Sequence, residues 1–200
     1  MILTKKITNR IIKFITNNTP IPEDKIEILD YGLKIIISNT IKLIILLLTA
    51  YFLNVLSYTL LALAFFGLVR AFASGTHTNS SLACIILNYI LFLGNVFLSI
   101  NLQLNTFGLY FMFIINLILL ILYSPADTKK RPLPSKKLRK KLKVYSILVL
   151  IFSFIFSLFL NNSIYKTIIS IANFEAAIST TPFMYKLFGN SYRNYDNITL

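Results

Sequence analysis

Apolar runs long enough to cross a bilayer recur along this chain, and they leave few folds open to it. A backbone that enters hydrocarbon must satisfy its own N–H and C=O groups, so runs of this length become helices. They lie at about 35–53, 55–72, 81–99, 107–123, 144–160 and 164–182. The last is the weakest, because it carries Lys166 and Glu175. More than half of the 200 residues are hydrophobic. The chain therefore reads as one all-α integral membrane domain of about six transmembrane helices, without room for a separate soluble domain. A four-span arrangement, with some segments interfacial, stays open.

Residues 1–17 do not span. Leu3, Ile7, Ile11, Phe14 and Ile15 fall on one helical face, while Lys5, Lys6, Arg10 and Lys13 crowd the other. That is the pattern of a basic amphipathic helix, lying in the membrane interface or against the protein's own bundle. Asn17 to Pro20 and Pro22 break it. A second helix starts near Asp24, its acidic first turn suited to the helix dipole, and runs into the first span. The organisation expected is an amphipathic region at 1–34, four spans within 35–123, a basic loop at 124–143, two spans within 144–182, and a tail at 183–200. The start of the chain has no signal-peptide hydrophobic region, so no cleavage is expected there.

The formal charge of +13 does not point to nucleic acid. The basic residues lie in the tails and in loops between apolar segments, and no nucleic-acid motif accompanies them. With the N-terminus inside, segments 1–34, 70–80, 124–143 and the tail hold nearly all the Lys and Arg. The turns near Asn54, at Asn101–Thr106 and at Asn161–Ser163 hold none. Both ends are then cytoplasmic, and the charge also suits the anionic lipid of the inner leaflet. The chain has one cysteine and one histidine. No internal disulfide is expected, and no metal or cofactor, because so few Asp and Glu are available to complete a zinc site.

That single pair, His77 and Cys84, sits in the polar break Arg70–Cys84, RAFASGTHTNSSLAC. A thiol and an imidazole are the minimum parts of a cysteine nucleophile with its base. Ser80 and Ser81, with Asn79, are helix caps, which puts Cys84 in the first turn of the third span, where the dipole favours a thiolate. Seven residues on a continuous helix rise about 10 Å, too far for a hydrogen bond. The pairing therefore requires that no helix run unbroken from 72 to 84, and Gly75 with the Thr78–Ser81 run supplies the break. Asn88, Asn95 and Ser99 follow Cys84 on one face. Asn88 has two open roles, orienting the imidazole or bonding between helices.

The motif of Arg70, Gly75, His77 and Cys84 resembles the signature of the AgrB family, the accessory gene regulator protein B of Gram-positive bacteria. Pro125–Thr128 followed by Lys129, Lys130 and Arg131 resembles the loop after that family's fourth apolar segment. The likeness extends over most of the chain. Ser74 departs from it where a second glycine is common, and Thr78 where alanine is common.

The resemblance implies a multi-pass cysteine endopeptidase of the bacterial cytoplasmic membrane. Its substrate is a small AgrD-like precursor that becomes an autoinducing peptide in quorum sensing. Cys84 is then nucleophile and acyl carrier and His77 is base, then acid. Lys129, Lys130 and Arg131 hold the acidic precursor tail, or simply mark an inside loop. Arg70 steadies the thiolate, or anchors the second span. Asp127 orients His77, or only forms a turn. A homodimer is also suggested by the likeness. The competing reading is a transporter or pore subunit with a coincidental His–Cys pair; Glu175 is a functional candidate if the last segment spans, and simply solvated if that segment is interfacial.

Overall fold

The computed structural model describes residues 2–18, 22–78, 80–128 and 132–197, with the backbone only for 2–6, 23, 24 and 197. Lys129, Lys130, Arg131 and Asn79 lie outside the described residues. At Asn54 the backbone enters the left-handed region, φ +58°, which Asn tolerates better than most residues. One helix therefore stops at Phe52 and the next begins at Leu56. The chain falls into two units divided there, Met1–Phe52 and Leu53–Leu200.

In the first unit α1 (Ile2–Asn18) packs on α2 (Glu23–Phe52). The Pro22 carbonyl accepts from Lys25 and Ile26 at the start of α2. Asp30 and Lys34 pair one turn apart along it. Arg10 and Lys13 are exposed on α1, as the amphipathic pattern requires, and so is Phe14.

The second unit holds α3 (Leu56–Ala73), α4 (Ser81–Asn88), α5 (Gly94–Leu102), α6 (Thr106–Tyr123), α7 (Lys136–Phe159), α8 (Ser163–Ile178) and α9 (Pro182–Leu187). A π-helical turn, Tyr89–Leu93, joins α4 to α5. One extra residue in that turn rotates α5 relative to α4. Asn95 and Ser99 are accordingly buried, whereas Cys84 and Asn88 are half-buried. No strand occurs among the described residues.

Among the described residues, five helices are long and apolar enough to cross a membrane: the greater part of α2, then α3, the α4–α5 rod, α6 and α7. α8 is shorter, at 16 residues. It packs against α3, α5, α6 and α7, and the small side chains Ser170, Ala172, Ala176 and Ala177 let those helices approach it closely. Val69, Ala73, Leu120 and Leu150 close around Ala176 and Ala177. The unit also buries polar side chains among the apolar ones and turns large apolar side chains outward, as lipid demands. Asn95, Asn116, Ser153, Ser157 and Asn173 are buried, while Phe97, Phe111, Ile118 and Phe152 are exposed. Glu175 is half-buried on α8, and its carboxylate accepts from Asn95 Nδ2 at 3.4 Å.

Two boundaries differ from the sequence-based expectation. The helix of the fifth span begins at Lys136, inside the expected loop, because Ser135 caps it by accepting from Leu138 N at 3.3 Å and the basic run favours helix. The last segment does not run to 182. It ends at Ile178, and Thr181 then caps α9 with Pro182 at its first position. Beyond α9, described residues of the tail fold back onto His77 and Asp127 through Asn190 and Asn194.

Candidate active site

The expected break between 72 and 84 is present. α3 ends at Ala73, α4 starts at Ser81, and the described residues between them, 74–78 and 80, are non-helical. Ser74 and Gly75 turn the chain with φ +58° and +131°. Ser74 is the position where the sequence departs from glycine, and it adopts a conformation that glycine takes at lowest cost. A Cβ on Gly75 would stand 2.5 Å from Ser179 Oγ and 3.0 Å from both Arg70 Nη1 and the Ser179 carbonyl. The turn therefore needs glycine at 75 for space as well as for backbone angle.

Three segments hold this turn. Ala126 N donates to Ala73 O at 2.9 Å and Gly75 N donates to Ala126 O at 3.1 Å, an isolated parallel bridge between 74 and 126. The two stretches that carry the family resemblance are thus joined backbone to backbone. Thr76 N donates to Ser179 O at 3.0 Å, at the end of α8. From the tail, Asn190 Nδ2 donates to Thr76 Oγ1 at 2.7 Å and to His77 O at 2.5 Å.

Arg70 is the centre of the arrangement. Its Nη1 donates to Ser179 Oγ at 2.6 Å, its Nη2 donates to Thr76 O, and the guanidinium lies 5.5 Å over the Phe66 ring. Nη2 also stands 3.5 Å from His77 Nδ1. A guanidinium only donates, so its approach favours a neutral imidazole with the lone pair at Nδ1 and the ring proton on Nε2.

His77 is exposed and lines a pocket of about 200 Å³ with Arg70, Ala71, Ser74, Gly75 and Asp127. Cys84 is half-buried and reduced, outside that lining. Its N–H makes the first turn of α4 by donating to Ser80 O at 3.0 Å. Ser80 is the N-cap residue and makes no side-chain cap bond.

Asp127 serves the backbone. It is buried, with Oδ1 accepting from Asn194 N at 2.9 Å and Oδ2 from Leu133 N at 3.5 Å, while its carbonyl accepts from Tyr185 OH at 2.6 Å. Asn88 is one turn from Cys84, and no side-chain bond from it to the imidazole is present among the described residues. Arg70, His77 and Asp127 are brought together in one pocket. Asn190, Asn194, Ser179 and Tyr185 were not foreseen, because a polar tail has no periodicity to mark which residues fold back.

The sequence model of the family described as Accessory gene regulator B matches residues 8–180. An AgrB-like protein of Clostridium acetobutylicum is 35% identical over 167 residues, 84% of this chain and 80% of the relative. Accessory gene regulator protein B of Staphylococcus aureus strain MW2 is 32% identical over 154 residues, 77% of this chain and 81% of the relative. The protein of the same name from Staphylococcus epidermidis is 40% identical over 116 residues, covering 58% of this chain and 59% of the relative. No solved structure gives a significant match.

Proposed function

The chain belongs to the accessory gene regulator B family, which supports a role in the agr quorum-sensing system, and from that premise we propose that it is a membrane cysteine endopeptidase. Its substrate is an AgrD-like precursor peptide at the cytoplasmic face of the bacterial membrane, with both termini of the enzyme on that side. The single observation that carries the reading is the non-helical segment between α3 and α4. It hangs His77 from Arg70 and leaves Cys84 in the first turn of a new helix.

In this mechanism His77 takes the thiol proton as Cys84 Sγ attacks the carbonyl carbon of the scissile bond. The C–N bond breaks, and His77 returns the proton to the leaving amine. The N-terminal part of the peptide stays on Cys84 as a thioester and the C-terminal tail departs. A thiol within the held peptide then attacks the thioester, closing a thiolactone and restoring the Cys84 thiol. One thioester replaces another, so the exchange is nearly isoenergetic. Arg70 steadies the thiolate and positions the histidine loop. Lys129, Lys130 and Arg131 hold the acidic tail of the precursor, and two copies of the chain act as a dimer.

A second reading, a transporter or pore subunit, draws support from Glu175 inside the bundle and the π-helical turn in the α4–α5 rod. One experiment separates the two. Membranes holding wild type or Cys84→Ala are incubated with the small peptide encoded beside the gene and analysed by mass spectrometry. Cleavage and a hydroxylamine-labile adduct on Cys84 in wild type alone are expected. Equal behaviour of the two proteins, both inserted, would overturn the peptidase reading in favour of the transporter.

A further inference from the structure

Beside the His77 pocket lies a second cavity of about 300 Å³ that shares Ala126 and Asp127 with it. Its lining is of another kind. The first two turns of α7 contribute Arg139, Lys140 and Lys143, and the tail contributes Tyr192, Arg193 and Tyr195. Arg139 is already committed. Its Nη1 donates to the Leu133 and Pro134 carbonyls at 2.6 and 3.0 Å, and its guanidinium lies 3.9 Å over the Tyr195 ring. Asp127, the one acidic residue in the described lining, spends its carboxylate on the amides of Asn194 and Leu133. Lys140, Lys143 and Arg193 line the same space from two separate segments, and Arg193 also lies 5.6 Å from the Tyr192 ring with Asp196 nearby. Arg193 holds its place with φ +53°, a costly conformation for a residue with a Cβ.

We propose that this cavity binds a phosphate-type oxyanion through Lys140, Lys143 and Arg193, and that its occupancy fastens the tail onto the His77 loop. Left unanswered, the cations of α7 and of the tail repel across the cavity. An oxyanion turns that repulsion into charge-assisted hydrogen bonds to both walls. The tail that carries Arg193 also carries Asn190, which holds the His77 carbonyl, and Asn194, which holds Asp127. Tightening at Arg193 is therefore transmitted over three residues to the loop. The binding stands apart from the peptidase reading; the importance of the fastening for catalysis rests on it. Two sources supply this chemistry at helix ends beside a membrane surface, the headgroup of an anionic phospholipid and dissolved phosphate.

The test uses the full-length protein in phosphatidylcholine nanodiscs. One arm adds sodium phosphate against sodium chloride of equal ionic strength, and the other replaces part of the lipid with phosphatidylglycerol. Thermal unfolding reads binding, and hydrogen exchange of the Gly75–His77 amides reads fastening. The expected result is a Tm raised by several degrees and loop exchange slowed several-fold. Response in both arms assigns dissolved phosphate as sufficient, and response to phosphatidylglycerol alone assigns the headgroup. Lys140→Gln with Lys143→Gln, or separately the exposed Arg193→Gln, abolishes both effects. Asn190→Ala keeps the Tm rise but loses the slowing. No response beyond chloride in either arm, or variants that respond like wild type, overturns the site. A Tm rise with unchanged loop exchange overturns the fastening. Neither readout involves peptide cleavage, so the failure of this proposal and that of the peptidase reading are separately visible.

Discussion

Arg70 and Ser179, 109 residues apart in the chain, are joined by a 2.6 Å hydrogen bond from guanidinium to hydroxyl at the head of the His77 loop. The same guanidinium bonds the Thr76 carbonyl with its other arm, so one side chain ties the end of α3, the loop and the end of α8. A planar fork suits this task and an ammonium does not. Arg70→Lys keeps the charge and loses the fork. The expected cost is about 1.5–3 kcal/mol, the range for hydrogen bonds to a charged group. It should appear as a lower unfolding midpoint in detergent and as faster hydrogen exchange at Thr76.

Gly75→Ala is expected to be the most damaging single-methyl change in the loop. The φ of +131° is strained for any residue with a Cβ, and the added carbon meets the Ser179 backbone as well as its side chain. Strain alone costs on the order of 1–3 kcal/mol. Precursor cleavage should fall with it while membrane insertion, measured by fractionation, is unchanged. Full cleavage by this variant would show that the loop geometry is not required.

Ser74→Gly should go the other way. Relief of a positive φ on serine is worth about 1–3 kcal/mol, and the freer unfolded chain takes back roughly 0.4–1 kcal/mol. A modest rise in the unfolding midpoint is expected; a fall would mean that the serine makes a contact that outweighs its backbone strain.

Asp127→Asn tests the clamp under the tail. An amide keeps one acceptor oxygen but loses the charge that strengthens the bonds from Asn194 N and Leu133 N. Weakening by about 1–3 kcal/mol should release the tail, so limited proteolysis after α9 should speed up. A direct catalytic role for Asp127 predicts instead a loss of cleavage with the tail still protected.

Tyr185 supplies a pH dependence. Burial, and then the charge of Asp127, lift its hydroxyl above the usual phenol range. The folded protein thus keeps a proton that the unfolded chain releases near pH 10. Stability from this group is complete below about pH 10 and is lost as pH rises beyond it. Wild type should lose stability more steeply than Tyr185→Phe above that point, and the two curves should run parallel below it.

Much of this protein is readable without its structure. The helices, the break at Asn54 and the break at Ser74–Gly75 are local consequences of hydrophobic run length, left-handed residues and polar punctuation. The motif of Arg70, Gly75, His77 and Cys84 is equally visible, because its residues lie close in sequence. The half-legible parts are those where a helix end depends on capping, as at Ser135 and Thr181, or where an added residue alters the register, as in the Tyr89–Leu93 turn.

What only the tertiary structure decided is how the His77 loop is held. Asn190 reaches Thr76 across 114 positions, and Asp127 reaches Asn194 across 67. Such bonds have no signature in local composition, since an Asn or Asp in a polar tail suits a turn as well as a clamp. They form because buried carbonyls and carboxylates must find donors once α3, α6 and α8 have converged. Hydrophobic patterning determined where the helices run, and the satisfaction of polar groups at their meeting point determined what surrounds His77.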